Sequence, residues 1–204
     1  MCYEARMARS KPYHHGDLRH ALVAQALSLI ALRGVGALTV REVARRAGVS
    51  HAASYRHFAD RAALIAAVAE EGFRGMLEAM QAARGRARTP AAQFQALGVA
   101  YVEYGAAHPE ILRVMFSPEV ADKSRHAGLK GAADGLYEAL IESIRGGQRA
   151  GLVAKGDPED LAFSAWSLVH GCAMLIVDGQ LAGESPKRLA EASTRVLFEG
   201  LRAR

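Results

Sequence analysis

Apolar residues return every three or four positions along most of this chain, the period of helices that bury one face. Leu18, Leu22, Ala26, Leu29 and Ile30 share such a face, so a helix is expected from near Asp17, a good N-cap, to Arg33. The glycines of "RGVGA" (33–37) end it. Thr39 then caps a short helix that turns Val40, Val43, Ala44 and Ala47 inward, and Glu42 completes the spacing of a capping box. Gly48 breaks that helix. Ser50 caps the next, expected to last about two turns and to end near Phe58. Asp60 opens a fourth, carrying Leu64, Ile65 and Val68 inward.

Beyond the loop "GRARTP" (85–90), helices are cut out by "AHPE" (107–110), "FSPEV" (116–120), "RAGLVAKGDPED" (149–160) and "AGESPK" (182–187). Pro109, Pro158 and Pro186 read as first-turn prolines. The pattern predicts about nine helices in two units, 16–76 and 80–204, with the fourth helix as a rigid connector across the boundary.

The stretch 159–177 is apolar on two faces. Leu161, Ala165, Leu168, Cys172 and Leu175 form one series; Ala162, Trp166, Val169, Ala173 and Ile176 form the other. Such a helix must be buried on both sides: one side can face its own domain and the other a partner chain, the bland alternative being an ordinary monomer core. The last helix adds Leu189, Ala192, Val196, Leu197 and Leu201, while Gly171 and Gly200 allow close approach. The run 161–177 is shorter than a bilayer span and holds Ser164, Ser167 and His170, so it reads as a buried helix rather than a membrane anchor.

Composition agrees with helices. Half of the 204 residues are hydrophobic, proline is sparse at 6, and β-branched residues are few. Charge adds something the periodicity lacks. Residues 1–61 hold ten Lys/Arg against four Asp/Glu and five of the eight histidines, whereas the remainder holds sixteen against seventeen. A basic first third on a nearly neutral body points to a polyanionic partner; the bland alternative is a solvated basic face. Cys2 and Cys172 offer no disulfide framework or metal-ligand spacing, and the first residues lack an apolar signal region, so the expected location is cytoplasmic.

A helix, a tight turn and a second short helix within residues 39–58 make a helix-turn-helix, whose second helix enters the major groove of DNA. Gly48 reverses the chain, Ala44, Ala47 and Val49 let the helices pack closely, and Ser50 satisfies amides at the start of the second helix. The stretch "LTVREVARRAGVSHAASYRHFADRAALIAAV" (38–68) resembles the DNA-binding region of the TetR family of transcriptional regulators. The shared pattern is Thr39, then Val43–Ala44, then Ala47–Gly48–Val49–Ser50, then Tyr55 and Phe58, then an Asp-led helix. "PYHHGDLR" (12–19) and "WSLVHG" (166–171) are similar to a subgroup with a Trp–His–Gly signature. The chain departs from the common pattern at Ala52–Ala53, at Ser54 where proline is frequent, and at Arg61 where lysine is.

The resemblance implies that Thr39, Ser50, Tyr55, His57 and Arg61 lie against phosphates, with His51 and Ala52 at the groove floor. Arg41 is a further phosphate candidate, with Arg45 and Arg46 beside it, or else these three form a solvated face. Phe58 is expected in the core, and Tyr55 either packs its ring or presents it. Only His51 and Arg56 offer side-chain hydrogen bonds to bases, so DNA shape and an N-terminal arm of Arg6, Arg9 and Lys11 are expected to carry part of the sequence preference. In the family the middle helices line an effector pocket, which here implies Phe94, Tyr101, Tyr104, Met115, Phe116 and Tyr137, with Trp166, His170 and Met174 behind them. A four-helix contact between two copies, as in the family, would use Leu161, Ala165, Leu168, Cys172, Leu175, Leu189 and Val196.

Other chemistry is poorly supported. "HHGD" (14–17) holds possible metal ligands, but Asp17 serves better as a cap and adjacent histidine side chains diverge. His170 has serines nearby without a nucleophile elbow, and no phosphate-binding glycine motif occurs, so no catalytic residue, metal or cofactor is expected. The expectation is an all-helical, homodimeric, sequence-specific DNA-binding regulator, a repressor released from double-stranded operator DNA by a small apolar or aromatic effector. The rival is a ligand-sequestering or protein-interaction module whose helix-turn-helix no longer binds DNA.

Overall fold

The computed structural model describes residues 15–201, excepting the side chains of residues 15–17. The arm residues Arg6, Arg9 and Lys11, the histidine pair at 14–15 and the proposed cap Asp17 therefore lie outside the described side chains. Nine α-helices occur among the described residues: α1 His15–Arg33, α2 Val40–Arg46, α3 His51–Tyr55, α4 Arg61–Arg86, α5 Pro90–Ala107, α6 Pro109–Met115, α7 Ala127–Arg149, α8 Pro158–Val177 and α9 Pro186–Leu201. Short 3-10 turns stand at Val35–Ala37, Pro118–Val120 and Lys123–Arg125. The fold is all-helical.

Local chemistry explains most of the boundaries. Thr39 accepts from the Glu42 amide at 3.1 Å, Ser50 from Ala53 at 3.2 Å, and Asp60 from Ala63 at 2.7 Å. The capping box at α2 is only half made, because the Glu42 carboxylate turns to Arg45 at 2.7 and 2.8 Å instead of reaching back. Gly48, at φ 69°, ends α2 in a Schellman turn: its amide donates to the Arg45 carbonyl and that of Val49 to the Ala44 carbonyl. α3 is shorter than the pattern suggests. It stops at Tyr55, and the amides of His57 and Phe58 both fold back on the Ser54 carbonyl at 3.0 Å.

α1, α2 and the first half of α4 enclose Leu22, Ala26, Leu29, Ile30, Val43, Phe58, Leu64, Ile65 and Val68. α4 then continues without a break, and its second half buries Phe73, Met76 and Met80 among α5, α6 and α7. At about 1.5 Å per residue this helix is about 39 Å long, so one rod belongs to both ends of the molecule. Gly72 makes its crossing with α6 possible: a Cβ there would stand 2.8 Å from Ile111 and Met115. Arg113 ties α6 to the end of α8 by donating to the Val177 carbonyl at 2.7 Å and to Asp178 at 3.1 Å. A second small core of Phe94, Ile141, Ile144, Val153 and Ala162 lies among α5, α7 and α8.

α8 is longer than the 161–177 run alone suggested, and by length and composition it is apolar enough to cross a membrane. Ala162, Ala165, Val169 and Ala173 are buried against the rest of the chain, but that is 28% of the apolar window, and the expected burial on both sides is not met within one chain: Phe163, Leu168 and Leu175 are exposed.

Candidate nucleic-acid interface, ligand cavity and dimer face

The helix-turn-helix leaves a continuous polar surface. Thr39, Arg41, Ser50, His51, Ala52, Tyr55 and Arg56 are all exposed, and His57 and Arg61 are half-buried. Tyr55 presents its ring, 51% exposed, while Phe58 is 2% exposed in the core beneath it. Arg45 is engaged by Glu42, which leaves Arg41 as the better-placed cation on α2.

Two residues do something other than their sequence context suggested. Arg61 spends its guanidinium on the chain itself: Nε donates to the Leu38 carbonyl at 3.0 Å and a terminal nitrogen to the Val35 carbonyl at 2.9 Å. It thereby holds the loop that presents Thr39. Ser54, at the position where the family pattern favours proline, is fully buried and donates to the His51 carbonyl at 2.8 Å. The Ser54 bond is local, three residues back along α3, whereas the Arg61 role leaves no mark in local sequence because its carbonyls lie 23 and 26 residues away.

Between α4, α5, α7, α8 and α9 lies a cavity of about 280 Å³. Of the nine aromatic and sulfur residues expected there, Phe94, Tyr101, Phe116, Tyr137 and Trp166 line it. Met115 is instead fully buried in the main core, and Tyr104 packs over Gly75 of α4 and beside His108, 4.6 Å between ring centroids. His170 and Met174 stand outside the wall, one and two helical turns beyond Trp166 on α8. The sequence reading missed Phe73 and Met80 of α4, Lys123 of the 3-10 turn, Asp134 of α7, and Thr194 and Leu197 of α9. Phe73, Met76 and Met80 continue the apolar stripe of α4 at helical spacing, a legible signal; Lys123 sits in irregular chain and carries none.

The polar groups in the wall are arranged around Tyr101. Trp166 donates its indole N–H to the Tyr101 oxygen at 3.3 Å, and the Tyr101 hydroxyl meets His170 Nδ1 at 2.8 Å. Burial raises the Tyr101 pKa and lowers that of His170, so both are neutral at physiological pH. The Tyr101 hydroxyl and His170 Nδ1 thus share one hydrogen bond between neutral partners, its direction set by the His170 tautomer. Among the described residues, no group of three or more His, Cys, Asp or Glu side chains is placed to hold a metal ion.

The outward arc of α8 carries Phe163 (60% exposed), Leu168 and Leu175 around Ser164, Ser167 and Gly171. Beside it α9 exposes Val196 and Gly200, with Leu189 half-buried. Two residues of the expected contact face elsewhere: Ala165 is buried in the cavity wall and Leu161 packs on the second core. Cys172 is half-buried, 3.9 Å from the Ser193 hydroxyl. A series spaced by 3.5 residues on a helix of 3.6 per turn drifts across the rim of the buried face, and Phe163 lies outside it.

A helix-turn-helix joined through one continuous helix to a cavity-bearing helical body defines a class, the helical DNA-binding regulators. The family model described as bacterial regulatory proteins, tetR family, matches residues 22–68, and a tetracyclin repressor-like C-terminal domain matches residues 94–198. The chain belongs to the TetR family of transcriptional regulators. Among solved structures it is similar to a Rhodococcus sp. RHA1 protein of unknown function, at 35% identity over 95% of this chain and 100% of that one, with a TM-score of 0.81. A TetR-family transcriptional regulator from Pectobacterium atrosepticum shares 28% identity over 96% and 99% of the two chains, with a TM-score of 0.70. The fatty acid degradation regulator FadR from Bacillus halodurans shares the fold at 16% identity, covering 97% and 100% with a TM-score of 0.73. No curated protein matches the chain.

Proposed function

We propose that this regulator is a homodimeric repressor that leaves its operator when a small apolar or aromatic molecule fills the cavity. The observation that carries the reading is α4: Leu64, Ile65 and Val68 belong to the core of the DNA-binding unit, and Phe73 and Met80 of the same helix line the cavity. A ligand that displaces the lower half of α4 moves the upper half with it. To switch the population from about 1:99 to 99:1, the ligand must favour the DNA-incompetent state by about 5.5 kcal/mol.

In this reading residues 16–76 form the DNA-binding unit and 80–204 the effector and dimer unit, with the division inside α4. Thr39, Arg41, Ser50, Tyr55 and His57 contact phosphates, His51, Ala52 and Arg56 face the bases, and Arg61 acts by positioning the Thr39 loop. Two copies meet through Leu168, Leu175 and Val196, joined by Phe163, and place their α3 helices in successive major grooves of a partly palindromic site about 34 Å apart. The protein acts by binding rather than catalysis, in the cytoplasm where bacterial DNA lies. Gel-shift with the DNA flanking its own gene tests the proposal. A specific complex that weakens steeply with salt is expected; absence of any specific, salt-sensitive shift would sink it.

A further inference from the structure

The cavity's polar inventory is lopsided. Inside, the polar side chains on the wall are already engaged: Trp166 donates to Tyr101, Tyr101 and His170 share a hydrogen bond, Tyr137 donates to the Glu159 carbonyl at 3.4 Å, and Thr194 donates to the Ala190 carbonyl of its own helix at 2.7 Å. Nothing within asks for a hydrogen bond, so the body of a ligand there is apolar. Two charged residues complete the lining. Asp134 is held by Lys130 one turn back on α7. Among the described residues Lys123 has no carboxylate partner; the residue is half-buried, its ammonium lies 5.9 Å from the Phe73 ring centroid, and Phe73 packs edge-on against Phe116 at 5.4 Å.

An ammonium beside an apolar wall and without a carboxylate on it offers an incoming anion a charge-assisted hydrogen bond. A cationic ligand would find aromatic faces, which favour it, but would have to approach Lys123, and the acid that would receive it is already occupied. Size sets the remaining limit. Cavities of about 150 Å³ hold a benzene ring, so this one accommodates an apolar body of about ten carbons.

Resting on the reading that this cavity is the effector site, we propose that the effector is an apolar monocarboxylate of about ten carbons, its body among Phe116, Trp166 and Leu136 and its carboxylate on Lys123. The anchoring point has a mechanical consequence. Lys123 lies in the short segment that leads into α7, and Gly128 in the first turn of α7 packs directly on the carboxylate of Glu70. Glu70 is bridged to Arg19 of α1 at 3.6 Å and to Arg74 at 2.5 Å. A carboxylate pulling on Lys123 thus acts on a segment that already touches the DNA-binding unit.

Trp166 is the only tryptophan in the chain and stands on the cavity wall, so its fluorescence reads occupancy directly. The probes are decanoate, 1-decanol and decylamine, titrated against the intact protein and the Lys123→Met and Lys123→Glu variants. Decanoate should bind the wild type at least tenfold more tightly than decanol or decylamine. Lys123→Met should lose that tenfold for decanoate while binding decanol unchanged, which also shows that the variant is folded; Lys123→Glu should prefer decylamine. If decanol binds the wild type as tightly as decanoate, or Lys123→Met leaves decanoate unaffected, the ligand class is wrong and the cavity remains a candidate effector site. If none of the three perturbs Trp166, the cavity reading falls with it.

Discussion

At the scale of single residues, neighbouring groups decide what each polar side chain does. Arg61 has the charge expected of a phosphate contact, yet two of its nitrogens hold the Val35 and Leu38 carbonyls. Replacing it with Met should therefore lower the stability of the DNA-free protein by about 2 kcal/mol, as well as weakening the operator complex. Thermal melts without DNA distinguish this from a residue that only touches phosphate, whose loss would leave Tm unchanged. His170 gives a pH signature. Burial holds its pKa below the ordinary 6.5, so above that value the folded and unfolded chains both carry it neutral. As pH falls through 6.5 the unfolded chain takes up a proton that the folded one resists, and stability declines. Melting curves at pH 7.5 and 5.5 should show a smaller decline for His170→Gln than for the wild type.

At the scale of elements, close crossings are set by what stands opposite each glycine. An alanine at a helical glycine gains about 1 kcal/mol of helix propensity wherever there is room. At Gly72 there is none, since Ile111 and Met115 would lie 2.8 Å from the new Cβ, and overpacking costs about 1–3 kcal/mol. Gly72→Ala should destabilise the protein, whereas Gly85→Ala, with nothing within 4 Å, should be neutral or stabilising. Denaturant titrations of the two variants test the α4–α6 crossing; equal behaviour would contradict it. α3 teaches a related point. Its single turn has little helical stability of its own, so Ser54 and the α2 contact, rather than propensity, fix its orientation.

At the scale of the whole molecule, Phe163, Leu168, Leu175 and Val196 stand exposed on α8 and α9, and a second copy covers them in the reading above. Leu175→Glu should convert the dimer to monomers in sedimentation velocity with helical content unchanged by circular dichroism. Operator affinity should fall at least about 100-fold, because each half-site would then be bound without the other's effective concentration. A variant that remains dimeric would move the interface elsewhere.

The sequence by itself determined the helices, their order and the head-and-body organisation, because period, caps and glycine breaks are local properties: Thr39, Ser50, Asp60 and Gly48 do what their positions announce. It also named Phe94 and Tyr101 of α5, Phe116 just after α6, Tyr137 of α7 and Trp166 of α8, which the cavity brings together. What it could not resolve was which side of a helix that is apolar all round faces inward. Ala165 and Leu168 are equivalent in pattern, yet one is sealed in the wall and the other open to solvent. Lys123 gives no signal in the sequence, and Arg61 reads there as a phosphate contact, for the same reason. The function of a charged side chain depends on the partner placed beside it, a carbonyl for Arg61 and an aromatic wall without a carboxylate for Lys123, and long-range packing alone brings those partners together.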